Sequence, residues 1–165
     1  QMDFCRCRRR DFCFCDLVGS ALMRIKQPKI EPRYNAIYGA WGWILLEDYA
    51  YKDVLIPAGY WWNGANVPVG FWQLIYPASD QRLVAPSLVH DWLYSTHKKS
   101  RADSDAMLVS ALSDVGVPEY KRVLVEKAVR TFGASAWKDT DTDKQYMMML
   151  KRDITLSGRD YDTYL

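Results

Sequence analysis

The chain has no apolar run approaching the ~20 residues that a membrane-spanning helix requires. It has no excess of one charge. Its 22 Lys and Arg balance 20 Asp and Glu to leave a net +2 over 165 residues, which argues against a general nucleic-acid-binding surface. There is no internal repeat and no low-complexity tract, so solenoids and compositional linkers are excluded. Only two histidines occur. None of the G-x-S-x-G, Walker A or H-E-x-x-H patterns is present, so no nucleophile elbow, phosphate loop or zinc helix can be read directly. Near the start, Asp11 and Asp16 interrupt a mildly apolar run. No long apolar stretch precedes a small-residue cleavage site there, and the reading is that no signal peptide is present.

What the chain does have is apolar and aromatic bulk: 49% hydrophobic residues and 14% aromatic. That suffices for one domain with a real core, and aromatics serve cores and interfaces equally well. The organising stretch runs from Ile56 to Ser100. It contains IPAGYWWNGANVPVGFWQLIYP, then LVAPSLVHDWLYSTHKKS, with both histidines and four of the seven tryptophans. Pro and Gly punctuate its first half, where Pro fixes φ and Gly permits φ > 0.

All four cysteines fall within residues 1–16, as C-x-C-x5-C-x-C. On an extended hairpin turning at Arg8 to Phe12, Cys7 faces Cys13 and Cys5 faces Cys15, with all four thiols on one side. Three readings compete: a bound zinc or iron–sulfur cluster, two cross-strand disulfides, or free thiols. Same-face positions are ~6.5–7 Å apart on a strand, whereas sulfurs around one zinc sit only ~3.8 Å apart. The spacing therefore suits a larger cluster at least as well. The neighbouring Arg6, Arg8, Arg9 and Arg10 read as a solvated loop tip, or else as a contact for nucleic acid or an acidic partner.

Past the cysteines the chain reads as α+β. Strands are expected over 21–26, Tyr34 to Leu46 and Asp53 to Ile56, with Asp48 to Lys52 as a turn and Gly39 and Gly42 marking a bulge or a close backbone approach. Three helices follow. The first covers 79–97, capped by Ser79 or Asp80. The second starts after Ser100 and ends at Gly116. The third runs from Pro118 to Gly133. A short apolar helix over Tyr146 to Leu150 introduces a polar tail. The expected organisation is a Cys-rich hairpin (1–16), a core domain of a small antiparallel meander against about three helices (17–137), and a C-terminal docking tail (138–165). The Met147–Met149 cluster would fill core gaps or meet a partner.

His90-Asp91 is the candidate polar pair. Adjacent helical residues point about 100° apart, so the two do not simply bond each other. His97 lies two turns on and would share a face with His90 if the helix persisted. With Asp91, Asp103 and Asp105 nearby, a His–Asp set could bind a metal or act as a general base. The plainer reading is internal bracing, with His90 and Asp91 tying their helix to the GANVP loop.

Four blocks in order, IPAGYWWNGANVPVGFW, LVHDWLY, SRADSDAML and VRTFGASAW, resemble the bacteriophage and prophage family called domain of unknown function 1353. The resemblance covers about residues 35–137. It matches a PAG-F/Y strand end, a DGAS-V/I-P loop, an HD-x-L-Y helix, an SR-x-x-AD helix start and a closing FG-x-x-W. It marks Gly59, Asn63, Gly64, Asn66, Pro68, His90, Asp91, Tyr94 and Asp105 as motif positions. Asn63 stands for the usual Asp and Asn66 for the usual Ser, which removes a charge from the loop. The resemblance implies a phage setting but carries no established activity. The expectation is a virion structural protein of the tail tip or baseplate, made in the host cytoplasm, whose partners are other phage structural proteins. No small-molecule substrate is identified. The alternative is a small phage-encoded cell-wall hydrolase using His90 and Asp91. An iron–sulfur cluster or zinc is the expected cofactor at Cys5, Cys7, Cys13 and Cys15, and no other cofactor is identified.

Overall fold

Strand β1 (Ile30–Asn35) turns back into β2 (Ala40–Leu45) in a computed structural model that describes residues 25–64 and 80–165. The two strands are antiparallel, from Ile30 opposite Leu45 to Asn35 opposite Ala40. The expected single strand over 34–46 is thus a hairpin. Asn35 Oδ1 accepts from the Ile37 amide at 2.9 Å, and Gly39 takes φ +62°. This side-chain-capped turn with one left-handed residue reverses the chain inside the aromatic run. Pro32 lies in β1 at the edge of the sheet, where a missing ladder donor is tolerated.

β5 (Trp61–Trp62) pairs antiparallel with the other side of β2, giving the order β1-β2-β5. Between them, β3 (Tyr49–Tyr51) and β4 (Val54–Ile56) form a second small antiparallel pair. Residues 49–51, expected to turn, are therefore strand. The reversal is confined to Lys52 and Asp53, with Lys52 at φ 53°. The predicted strand over 21–26 falls almost wholly outside the described residues, as do the cysteine hairpin with Cys5, Cys7, Cys13 and Cys15, and the loop positions Asn66 and Pro68.

Asp80 caps a 3-10 turn (Gln81–Leu83) that leads into α1 (Val84–Thr96). This helix is the centre of the core: Ala85, Leu88, Val89, Trp92 and Leu93 have no exposed surface. Burying each large apolar side chain here contributes on the order of 1.5–3 kcal/mol. Helix α2 (Arg101–Asp114) begins at the Ser100 cap, as its sequence demanded, with Ser100 Oγ accepting from the Asp103 amide at 3.1 Å. Helix α3 (Glu119–Ala136) runs straight through Gly133, its expected end. Helix α4 (Asp141–Leu156) is three times as long as the apolar segment seen in the sequence. Thr140 and Asp143 form a full capping box at its start. Its Tyr146, Leu150 and Ile154 sit in the same core as α1, and Met147 and Met149 pack against that core, while Met148 is exposed.

A last 3-10 turn (Tyr161–Tyr164) is clamped to the sheet region. Asp48 accepts from the Ala58 amide at 2.8 Å, Arg159 Nη1 at 3.0 Å and Tyr164 Oη at 2.8 Å. The architecture is α+β: small antiparallel sheets against four helices. Among the described residues, no helix is long and apolar enough to cross a membrane.

Candidate functional site

The distant sequence blocks meet at one buried carboxylate. Asp105, on the first turn and a half of α2, is 2% exposed. Its Oδ1 accepts from Tyr94 Oη at 2.6 Å and lies 3.2 Å from His90 Nε2. His90 and Tyr94 are four residues apart on α1, so their rings share a face, with centroids 4.1 Å apart. Burial works to raise the Asp105 pKa, but the bonds from His90 and Tyr94 and the nearby Arg101 charge outweigh it and hold the carboxyl below its ordinary range. The carboxylate is therefore ionised and can only accept, so the proton on that side of the imidazole is on Nε2. The other ring nitrogen of His90, Nδ1, is not engaged by Asp105.

Nδ1 lies 4.0 Å from Asp91 Oδ1. That gap is too long for a direct hydrogen bond and suits one bridging oxygen. The Asp91 side chain is only 11% exposed, and burial pushes its pKa well above the carboxylate range. Among the described residues it has no hydrogen-bond partner. A carboxyl that burial holds toward its neutral form, set beside an imidazole, is a pairing on which general acid–base chemistry can be built.

Both groups border a cleft of about 630 Å³, which falls in the range of ligand pockets. Its far wall is aromatic. Trp61 stacks on Tyr38 at 5.0 Å and 16°, and its amide donates to Tyr146 Oη at 2.5 Å. The Trp61 indole lies across β2, its Nε1 donating to the Arg33 carbonyl at 2.9 Å. Only a glycine at position 42 allows this, since a Cβ there would lie 2.5 Å from Trp61 Cζ2. The sequence had marked Gly42 for a bulge or close approach, and it is a close approach. Tyr60 crosses Trp92 edge-on and shares a hydrogen bond with Ser95 at 3.1 Å.

The cleft's other carboxylates are differently engaged. Asp143 accepts from the Thr140 amide and hydroxyl at one oxygen and from Tyr38 Oη at 2.8 Å on the other. Burial raises its pKa, but these bonds lower it below the ordinary range. It braces α4 and Tyr38, with no free oxygen directed at a ligand. Asp139 meets His97 Nε2 at 3.1 Å.

The predicted site residues separate cleanly. His90, Asp91, Tyr94 and Asp105 come together, and Asn63 lines the same cleft. Gly59 turns β4 toward β5 at φ +92°, its amide donating to the Leu45 carbonyl at 2.8 Å, and Gly64 follows β5 at φ +88°. One expectation is corrected. His97 does not share a face with His90: α1 ends at Thr96, and His97 takes φ 52°, stacking on Trp137 at 4.3 Å. His90 bonds Asp105 on α2, the GANVP loop beyond Gly64 lies outside the described residues, and Asp103 accepts from the hydroxyl of the Ser100 cap at 2.6 Å. Tyr38, Tyr146 and Asp143 were missed, since no sequence pattern joins residues more than a hundred positions apart. In sequence, Gly133 reads as a helix end, and it and Trp137 otherwise only as part of the closing FGASAW block. Among the described residues, no group of three or more His, Cys, Asp or Glu could hold a metal ion.

A family model described as Protein of unknown function (DUF1353) matches residues 43–129, more than half of the chain. No curated protein and no solved structure matches it.

Proposed function

We propose, starting from a chain that belongs to the DUF1353 family of proteins of unknown function, that it is a hydrolase working in the His90–Asp91 cleft. One observation carries this: a desolvated carboxyl, without a hydrogen-bond partner among the described residues, lies 4.0 Å from one nitrogen of an imidazole whose other nitrogen is held by a buried carboxylate. A residue that merely braces a helix has no reason to bear the cost of burying Asp91 without a partner.

The chemistry follows from the protonation states. A water between His90 Nδ1 and Asp91 loses a proton to Nδ1 as it attacks the scissile centre. Asp91 gives its proton to the leaving group. The imidazolium then returns a proton to the Asp91 carboxylate, closing the cycle with one water consumed. Asp105 holds the tautomer without itself taking the proton, as an orienting carboxylate does in a hydrolytic triad. No side-chain nucleophile is needed.

The lining also limits the substrate. Lys138 is accompanied by Asp139 and Asp143 around the cleft, so a polyanion such as a phosphodiester chain is disfavoured. Aromatic walls with Asn63 and Thr142 suit an uncharged, hydrogen-bonding segment, for which bacterial cell wall is the first substrate to test. Purified peptidoglycan should release soluble fragments with the wild-type protein. His90→Ala and Asp91→Asn should abolish release while both variants stay folded, Asp91→Asn with a melting temperature no lower than wild type. No release by wild type, or unfolding of both variants, would refute the reading.

A second reading is favoured by a different surface. Tyr34, Trp41 and Trp43 are 51%, 71% and 40% exposed on one face of the β1–β2 hairpin, with Tyr34 and Trp41 directly opposite each other. Exposed aromatic strips of this kind mark interfaces. They support a virion structural component, at the tail tip or baseplate, contacting other phage proteins. Mass spectrometry of purified particles tests it, and the protein's absence from them would count against it.

A further inference from the structure

Tyr94 and His90 share a single acceptor atom. Asp105 Oδ1 takes the phenol at 2.6 Å and the imidazole Nε2 at 3.2 Å. The shorter bond goes to the phenol, not to the imidazole. Three features hold the phenol there. Its ring packs against His90, Trp137 meets it edge-on at 4.9 Å and 89°, and α3 presents a glycine, Gly133, where any Cβ would lie 2.7 Å from the hydroxyl.

An oxygen that already accepts one strong, charge-assisted hydrogen bond is a weaker acceptor for the next. We propose, resting on the reading of His90 as the base, that Tyr94 is a positioning residue which moderates the grip of Asp105 on His90. With the phenol sharing Oδ1, the imidazole is oriented firmly yet can release the proton it took from water. Without the phenol, Asp105 would hold the imidazolium too well for that proton to pass on to Asp91.

The other titratable groups around the imidazole do not substitute for this control. Asp91 faces Nδ1. Arg101, on α2, acts on Asp105 and Tyr94. Tyr38, Tyr60 and Asp143 line the opposite side of the cleft, with the Tyr38 and Tyr60 hydroxyls bonded to Asp143 and Ser95.

The test uses the whole chain labelled with 15N-histidine. In Tyr94→Phe, the His90 Nε2 proton resonance should move downfield, because Asp105 now engages it alone. Replacing Tyr94 by 3-fluorotyrosine, a stronger donor of nearly the same size, should move it upfield. On peptidoglycan, Tyr94→Phe should lower kcat about tenfold with KM nearly unchanged, the size expected when a bond to a charged group is lost. An unshifted resonance in both folded variants overturns the proposal and leaves the hydrolase reading standing on His90→Ala. Opposite shifts with no turnover by wild type establish the coupling and sink the hydrolase reading instead.

Discussion

Gly133 lies so close to Tyr94 that a Cβ on it would be 2.7 Å from the phenol oxygen. The glycine is inside α3, where it costs about 1 kcal/mol of helix propensity relative to alanine. That cost is outweighed by the contact it permits, a hydrogen bond to a buried carboxylate.

Gly133→Ala sets those two terms against each other. The alanine gains about 1 kcal/mol in the helix. It displaces the hydroxyl from Asp105, and bonds to charged groups contribute about 1.5–3 kcal/mol. Chemical denaturation should therefore show a net loss of about 1 kcal/mol, whereas alanine at an ordinary helical glycine would stabilise. A more stable variant would mean that Tyr94 relaxes without giving up its bond.

Gly42→Ala should be harsher. The new Cβ would meet both Trp61 Cζ2 and the Trp62 carbonyl oxygen at 2.5 Å. One is ring and the other backbone, so neither yields as a flexible side-chain end would. Overpacking costs about 1–3 kcal/mol, and the upper end is expected. Near-UV circular dichroism should lose the tryptophan signal of the Trp61–Tyr38 stack in parallel. Unchanged spectrum and stability would contradict the described packing.

Asp91→Asn should stabilise the protein while removing activity, the trade expected of a functional group placed at an energetic disadvantage. Burial raises the folded-state pKa of this carboxyl. The folded chain thus keeps a proton that the unfolded chain has already released. Its contribution to stability is full below the ordinary carboxylate range and declines as pH rises toward the folded pKa. Wild type should lose stability from this group as pH rises from the ordinary carboxylate range toward the raised folded pKa, a slope that Asp91→Asn removes. Asp105 has the opposite sign. Its lowered pKa gives stability that is present above about pH 4 and is lost as acid protonates the folded carboxylate. Melting temperatures of the two asparagine variants across pH separate the terms, and a wild-type slope retained in Asp91→Asn would refute the assignment.

Asp48→Ala removes three bonds at once, from Ala58, Arg159 and Tyr164. Because the carboxylate is partly solvated, the summed loss should be about 2 kcal/mol, at the modest end for such bonds. Amide exchange over 161–164 should accelerate with little change in α1. Unaltered protection of that turn would show that Tyr161 and Tyr164 hold it by burial alone.

The local chemistry of the chain determined more than its fold class. Ser100 before Asp103, Asp80 before an apolar run, and Pro118 opening a helix are signals carried by neighbouring backbone groups, and each acts where the sequence placed it. The His90, Asp91, Tyr94 and Asp105 positions were also legible, as members of motif blocks. Tertiary structure decided how they act. That Tyr94 and His90 compete for one oxygen of Asp105, that Asp91 is desolvated with no hydrogen-bond partner among the described residues, and that Tyr38 and Asp143 close the same cleft from distant parts of the chain are all facts of packing. Hydrogen-bond competition and desolvation depend on what surrounds a group in three dimensions, and neither is encoded in the spacing of residues along a strand or helix. The same reason explains Gly133. Its sequence neighbours mark it as a helix end, and only the phenol across the interface explains why the helix continues through it.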